Sequence, residues 1–221
     1  MNKKEKKERL ALISARLAEI YPNAECALEY RGDPWKLLVM ARLSAQCTDK
    51  RVNIVSKELF EAFPTASAMA EGDIERIKEL VKPCGLYNMK AKDIKESSRQ
   101  LVENFGGKVP QDMDSLLSLS GVGRKIGNLI LGDVYGKEAV VCDTHCIRIC
   151  GRFGMYPEKE KSPEKIERIL RELLDMKSGS DFCHRIVIFG REVCTARSPK
   201  CEECPLGELC EHNLKGGKKE A

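Results

Sequence analysis

The chain has 221 residues, 42% hydrophobic and 33% charged, with a formal net charge of +4. That composition is ordinary for a globular protein, sufficient for one or two cored domains, and its mildly basic balance permits nucleic-acid binding without requiring it. It excludes a membrane-spanning helix, because no apolar run approaches the roughly 18 residues a span needs.

Residues 1–9 are rich in Lys and Glu and lead into Leu10, Ile13, Leu17 and Ile20. This is the spacing of an amphipathic helix and not the apolar core of a signal peptide. A cytoplasmic location is therefore expected, and in that reducing setting the eleven cysteines argue against a disulfide framework. Amphipathic stretches follow over 34–45, 49–63, 73–82, 89–104, 112–119 and 124–135. Phe63-Pro64, Pro83-Cys84-Gly85, Gly106-Gly107 and Gly136 punctuate them. Only Ala139-Val140-Val141 looks like a strand, and it is too short to build a sheet.

Cys142, Cys146 and Cys150 recur every four residues and can share a helix face. Small buried apolar residues are the plain reading of them, and a second metal site the alternative. Ser162-Pro163-Glu164 then starts a helix with a cap, a proline at the first position and an early acid. Ile166, Ile169, Leu170, Leu173 and Leu174 mark its apolar face. The tail, 215–221, reads as disordered. No repeat of solenoid length appears, so the expectation is an all-α protein of many short helices with short links.

Cys194, Cys201, Cys204 and Cys210 are spaced C-x6-C-x2-C-x5-C. Four soft thiolates in so short a segment point to one metal site. Structural zinc usually takes two short pairs across a longer insertion, whereas here a single loop would wrap the metal. That favours a 4Fe–4S cluster, but spacing alone does not remove tetrahedral zinc.

The second constellation is Leu119-Ser120-Gly121-Val122-Gly123-Arg124-Lys125. Met113, Leu116 and Leu117 precede it on one amphipathic helix, and Ile126, Leu129 and Ile130 follow on another. Two glycines allow a tight turn and close approach of the backbone to a ligand. The N–H groups opening the second helix favour an anion, and a nucleic-acid phosphate is the natural guest. Lys125 lies just inside that helix, and Asp143 follows in Cys142-Asp143-Thr144-His145. A lysine amine at a positive helix end, in a partly desolvated pocket, is a candidate nucleophile for Schiff-base chemistry. A nearby carboxylate can move protons. The bland reading is a helix turn with solvated charges.

Four ordered matches make the chain resemble endonuclease III, of the helix-hairpin-helix DNA glycosylases and apurinic/apyrimidinic (AP) lyases. They are Leu43-Ser44-Ala45-Gln46-Cys47-Thr48-Asp49; Gly85-Leu86-Tyr87-Asn88-Met89-Lys90-Ala91; the hairpin with Lys125 and Asp143-Thr144-His145; and the cysteine loop. The resemblance runs from about residue 34 to residue 210. It implies a six-helix barrel over 27–138, a cluster domain from 1–26 and 139–221, and a DNA cleft between them. It implies one 4Fe–4S cluster, which decides the metal against zinc, and a monomer acting on damaged or abasic double-stranded DNA, at the nucleoid if the source is prokaryotic.

By the same resemblance Lys125 is the nucleophile and Asp143 assists base departure and proton transfer. Gln46 and Leu86 fill the space left by a flipped nucleotide. Gly121, Val122, Gly123, Arg124 and His145 contact DNA. Arg197 and Lys200, between the first two cysteines, grip phosphates. Asp49, Arg42 and Ile126 are assigned to the base pocket.

The chain departs from the family pattern at Ser120, usually Pro, at Ile126-Gly127, usually Thr-Ala, and at Arg42, usually aliphatic. Gly127 is expected to weaken its helix by about 1 kcal/mol against Ala, and Arg42 to need a partner if it faces inward. These departures bear on substrate choice more than on reaction type. The alternatives are a divergent glycosylase with a shifted lesion range or little lyase activity, and a non-catalytic DNA-binding paralogue. An electron carrier is a third, but it leaves Gln46, Leu86 and the hairpin without a role.

Overall fold

The structure, a computed structural model, describes residues 1–216. Its α-helices are, in chain order, α1 (Lys3–Ile20), α2 (Pro34–Leu43), α3 (Asp49–Ala62), α4 (Ala66–Glu71), α5 (Ile74–Val81), α6 (Tyr87–Phe105), α7 (Met113–Leu117), α8 (Arg124–Asp133), α9 (Thr144–Arg152), α10 (Pro163–Leu173), α11 (Gly179–Glu192) and α12 (Glu211–Leu214). No strand occurs among the described residues, and Ala139-Val140-Val141 is buried chain outside any regular element. No helix among them is long and apolar enough to cross a membrane.

The chain divides into two compact units, one of residues 26–136 and one of residues 1–25 with 137–221. In the first, α2 is the central element. Trp35, Leu37, Leu38, Val39, Met40, Ala41 and Leu43 are all buried, so this helix is apolar on nearly every side, as a surrounded helix must be. α3, α6 and α8 pack on it, while α4 and α5 pack on α6. The indole N–H of Trp35 donates to Ser98 Oγ at 3.0 Å, satisfying the polar atom of a buried ring.

In the second unit α1 packs on α10 and α11, and α9 on α11. Leu10, Ile13 and Leu17 are completely buried, but Ile20, at the end of the expected face, is 37% exposed. Cys146 and Cys150 lie on α9, whereas Cys142 precedes it. All three are buried, as the plain reading expects, and the neighbouring thiols of Cys142, Cys150 and Cys183 push that of Cys146 well up.

The helix starts follow the capping rules. Asn2, Asp33, Thr48, Thr65, Asp73, Asp112, Asp143 and Ser162 each accept a backbone N–H in the first turn of their helix. Some ends differ from expectation. The stretch expected over 34–45 stops at Leu43, because Ser44 to Cys47 form a turn closed by Cys47 N–H to Ser44 O at 3.0 Å. The stretch over 112–119 shortens to Met113–Leu117, as the chain turns into the hairpin. The six residues of α4 span too few turns to show a period. Lys215 follows α12, with Nζ 2.7 Å from Glu211 Oε1; the rest of the expected disordered tail, 217–221, lies outside the described residues.

On α1, Leu10→Ala is expected to cost about 2–5 kcal/mol. Leu12→Ala, at a site 59% exposed, should stay within about 0.5 kcal/mol. Urea denaturation of both variants checks the assignment of the buried face.

Candidate functional site

The hairpin joins α7 to α8. Val122 N–H donates to Leu119 O at 3.1 Å to close the turn. Gly121 supplies a φ of +72°, and the Val122 side chain is buried as its plug. Gly123 opens α8 without any side-chain cap, and the first helical bond is Gly127 N–H to Gly123 O at 2.9 Å. The N–H groups of Lys125 and Ile126 therefore have no partner within the helix. Gly121, Gly123, Arg124 and Lys125 are exposed around them. This is an open, dipole-favoured anion site of the kind the sequence pattern implies.

Two of the family departures meet beneath this turn. Arg42, expected to need a partner if it faces inward, pairs with Asp93, its Nε at 2.7 Å and its Nη2 at 2.6 Å from Oδ2. Ser120 Oγ donates to the other oxygen of Asp93 at 3.1 Å, and Ser120 N–H donates to Gln100 Oε1 at 2.7 Å. A Cβ on Gly121 would stand 2.7 Å from Arg42 Nε and 2.8 Å from Asp93 Cβ. The glycine thus serves both the positive φ and the close approach of the ion pair. At Gly127 a Cβ would stand 2.7 Å from Met113 Sδ, so its expected cost to helix propensity is accompanied by closer packing of α7 on α8.

The remaining site residues are described within their own units. Lys125, second residue of α8, is exposed. Ile126 is half-buried beside it, and Asp49 is half-buried at the first position of α3. In the other unit Asp143 caps α9, with Oδ1 accepting Cys146 N–H at 2.7 Å. That bond fixes the carboxylate. His145 Nδ1 lies 3.2 Å from Arg148 Nη2, over Gly190, where a Cβ would come within 2.4 Å of it.

Gln46 and Leu86 are both exposed and both left-handed, with φ of 54° and 47°. Of the non-glycine residues described, only Arg31 shares that conformation. A left-handed L-residue costs roughly 1–2 kcal/mol, so surrounding structure must hold each tip in place. Nothing in the residue types signals this, since neither Gln nor Leu favours the region.

Cys194, Cys201, Cys204 and Cys210 line one small cavity with Phe153, Phe189 and Arg152. No group of three or more His, Cys, Asp or Glu side chains among the described residues is gathered closely enough to hold a single metal ion. The all-cysteine donor set fits a 4Fe–4S cluster, which these four thiolates would hold. Burial pushes the thiols of Cys194 and Cys204 up and that of Cys210 up to about 11, so ligation must displace their protons.

Arg152, which the sequence reading missed, is 5% exposed. It donates to Cys194 Sγ at 3.1 Å, Thr195 O at 2.8 Å and Ala196 O at 3.1 Å. One turn earlier Arg148 donates to Cys194 O at 2.9 Å. The loop is shaped from α9, and Arg197 and Lys200 are exposed on it.

The hairpin, the cysteine loop and the helical architecture define a base-excision DNA repair protein. Residues 39–176 match the HhH-GPD superfamily of base excision DNA repair proteins, and residues 194–210 match the iron–sulfur binding domain of endonuclease III. The chain is 44% identical to endonuclease III of Synechocystis sp., covering 93% of each chain. It is 36% identical to that of Escherichia coli, covering 95% of this chain and 98% of the relative. A solved trapped endonuclease III–DNA covalent intermediate superposes with a TM-score of 0.90 at 35% identity, over 96% of this chain and 99% of that one. The chain belongs to the endonuclease III family, with DNA glycosylase and AP lyase as its activity class and one 4Fe–4S cluster as its cofactor.

Asp93→Ala, which strands the half-buried Arg42 charge, is expected to cost about 2–4 kcal/mol. Arg42→Leu with Asp93→Leu should recover more than half of that; strictly additive losses in denaturation would show the pair to be uncoupled. Purified protein should carry about four irons and absorb near ~400 nm. Cys204→Ser should lose most of that iron, and Cys146→Ser should keep it. Stoichiometric zinc would contradict the cluster.

Proposed function

We propose that this glycosylase and lyase removes oxidised pyrimidines from double-stranded DNA and then cuts the strand through a lysine Schiff base. The observation that carries this reading is the position of Lys125. It is the second residue of α8, exposed beside the N–H groups suited to a backbone phosphate. A phosphate held there brings the adjoining sugar within reach of the amine.

In this scheme the neutral amine of Lys125 attacks C1′ of the flipped nucleotide, and the damaged base leaves with its bonding electrons and takes up a proton. The amine loses its proton to the carboxylate of Asp143, and the C1′–O4′ bond then breaks, O4′ taking that proton as the sugar ring opens to an iminium between Lys125 Nζ and C1′. Removal of a C2′ proton expels the 3′ phosphate, a β-elimination that cuts 3′ of the lesion. Water then releases the lysine. Asp143 suits proton transfer because its cap bond to Cys146 N–H fixes one oxygen and orients the other.

Gln46 and Leu86 are the void-filling pair, an amide and an apolar tip, and Arg197 and Lys200 hold phosphates. The protein acts as a monomer on chromosomal DNA at the bacterial nucleoid. The departures at Arg42 and Ser120 support an unchanged reaction, because they brace the hairpin without replacing Lys125 or Asp143.

Borohydride should trap a covalent adduct between wild-type protein and duplex DNA carrying an oxidised pyrimidine or an abasic site. Lys125→Ala should give none. Asp143→Asn should slow base release by about 10²–10⁴-fold. Base release by wild-type protein without a trapped adduct would mark a glycosylase lacking the lyase step. An adduct with Lys125→Ala would place the nucleophile elsewhere.

A further inference from the structure

Lys90 is a lysine with no exposed surface, among the largest fully buried side chains of the core. Burial lowers its pKa from the usual lysine value. A cation so placed needs acceptors, and Nζ has two: Leu43 O and Cys84 O, each at 2.8 Å. The first is the last residue of α2, three residues before Gln46. The second ends a 3-10 turn, two residues before Leu86. The backbone N–H of Lys90 donates to the carbonyl of Leu86 itself, at 3.0 Å. One residue in the first full turn of α6 therefore ties down the roots of both exposed left-handed tips, which lie forty residues apart in the chain.

We infer that Lys90 is a positioning residue that holds the Gln46 and Leu86 tips in one fixed register before DNA arrives. The inference rests on the reading of those tips as the void-filling pair. Neither tip is held by a preferred residue type, and no side chain caps α6 at Leu86. The turn before Leu86 has its own bond, Gly85 N–H to Lys82 O at 3.2 Å, and the turn through Gln46 has Cys47 N–H to Ser44 O at 3.0 Å. Each bond shapes its own loop. The ammonium joins one loop to the other, through acceptors 47 and 6 residues away in sequence, and the thiols of Cys47 and Cys84 meet beside it. A short, two-acceptor contact of a charged donor is a strong tie in a dry interior. Pre-set tips leave less ordering to be done when the duplex is opened.

The test uses Lys90→Met, which keeps length and removes the donors, and Lys90→Gln, which keeps one donating amide. Hydrogen exchange is measured over 44–47 and 84–87, with far-ultraviolet circular dichroism confirming the fold. Binding is measured to duplex and to single-stranded oligonucleotides carrying a tetrahydrofuran abasic analogue. In Lys90→Met, exchange should rise at least tenfold in both segments. Affinity for the duplex should fall about tenfold while affinity for the single strand, which has no void to fill, stays within twofold. Lys90→Gln should fall between, and it supplies the same comparisons if the methionine variant does not fold.

Faster exchange in one segment only, or equal loss of affinity for both DNA forms, would overturn the inference. Gln46→Ala and Leu86→Ala, made separately, test the underlying reading. Unchanged duplex affinity in both would remove the void-filling role, and the exchange result would then decide the tie by itself.

Discussion

A cation taken out of water must find oxygen acceptors, and in this protein those acceptors are loop carbonyls and one carboxylate. Lys90, Arg152 and Arg42 project from α6, α9 and α2, and each is buried or nearly so. Lys90 and Arg152 end on backbone carbonyls, Arg42 on Asp93 beneath the hairpin. The requirement works in both directions. The cation would be unstable without the loop, and a buried carbonyl left without a donor costs about 1–3 kcal/mol. Three segments with little regular hydrogen bonding of their own thereby acquire fixed shapes.

This arrangement separates stability from chemistry. The helices are held by apolar burial, with α2 enclosed in one unit and α1, α10 and α11 joined through Leu10, Ile13, Leu17 and their neighbours in the other. The residues assigned to DNA chemistry, Gln46, Leu86, Lys125, Arg197 and Lys200, are exposed. They contribute little to the core and are free to be selected for contact with a ligand. The backbone strain at Gln46 and Leu86 fits the same division: a rigid scaffold can hold unfavourable conformations at a surface where they serve recognition. α9 shows the principle within a single element. Its first turn fixes Asp143 as a cap, and its later turns place Arg148 and Arg152 on the cysteine loop.

Much of the protein was legible in short stretches of sequence. Helical periods marked α1, α2, α3, α5, α6, α8 and α10, and the cap at Ser162 marked a start, because period and capping depend on residues within one or two turns. The hairpin glycines and the spacing of Cys194, Cys201, Cys204 and Cys210 were legible for the same reason: a turn and a ligand loop are local geometries. The exposure of Ile20 and the early end of α2 at Leu43 were not, since both depend on what packs against the helix end.

From sequence alone, then, come the all-helical class, the hairpin, the iron–sulfur loop and the family to which Lys125 and Asp143 belong. Tertiary structure alone decided that Arg42 turns to Asp93, 51 residues away, that Ser120 joins the same carboxylate, and that Lys90 reaches across 47 residues to Leu43. It also decided the left-handed backbone at Gln46 and Leu86. The reason is physical. A charged side chain carries no record in its neighbours of whether it will meet water or a distant carbonyl, and only the packed fold removes the water and supplies the acceptor.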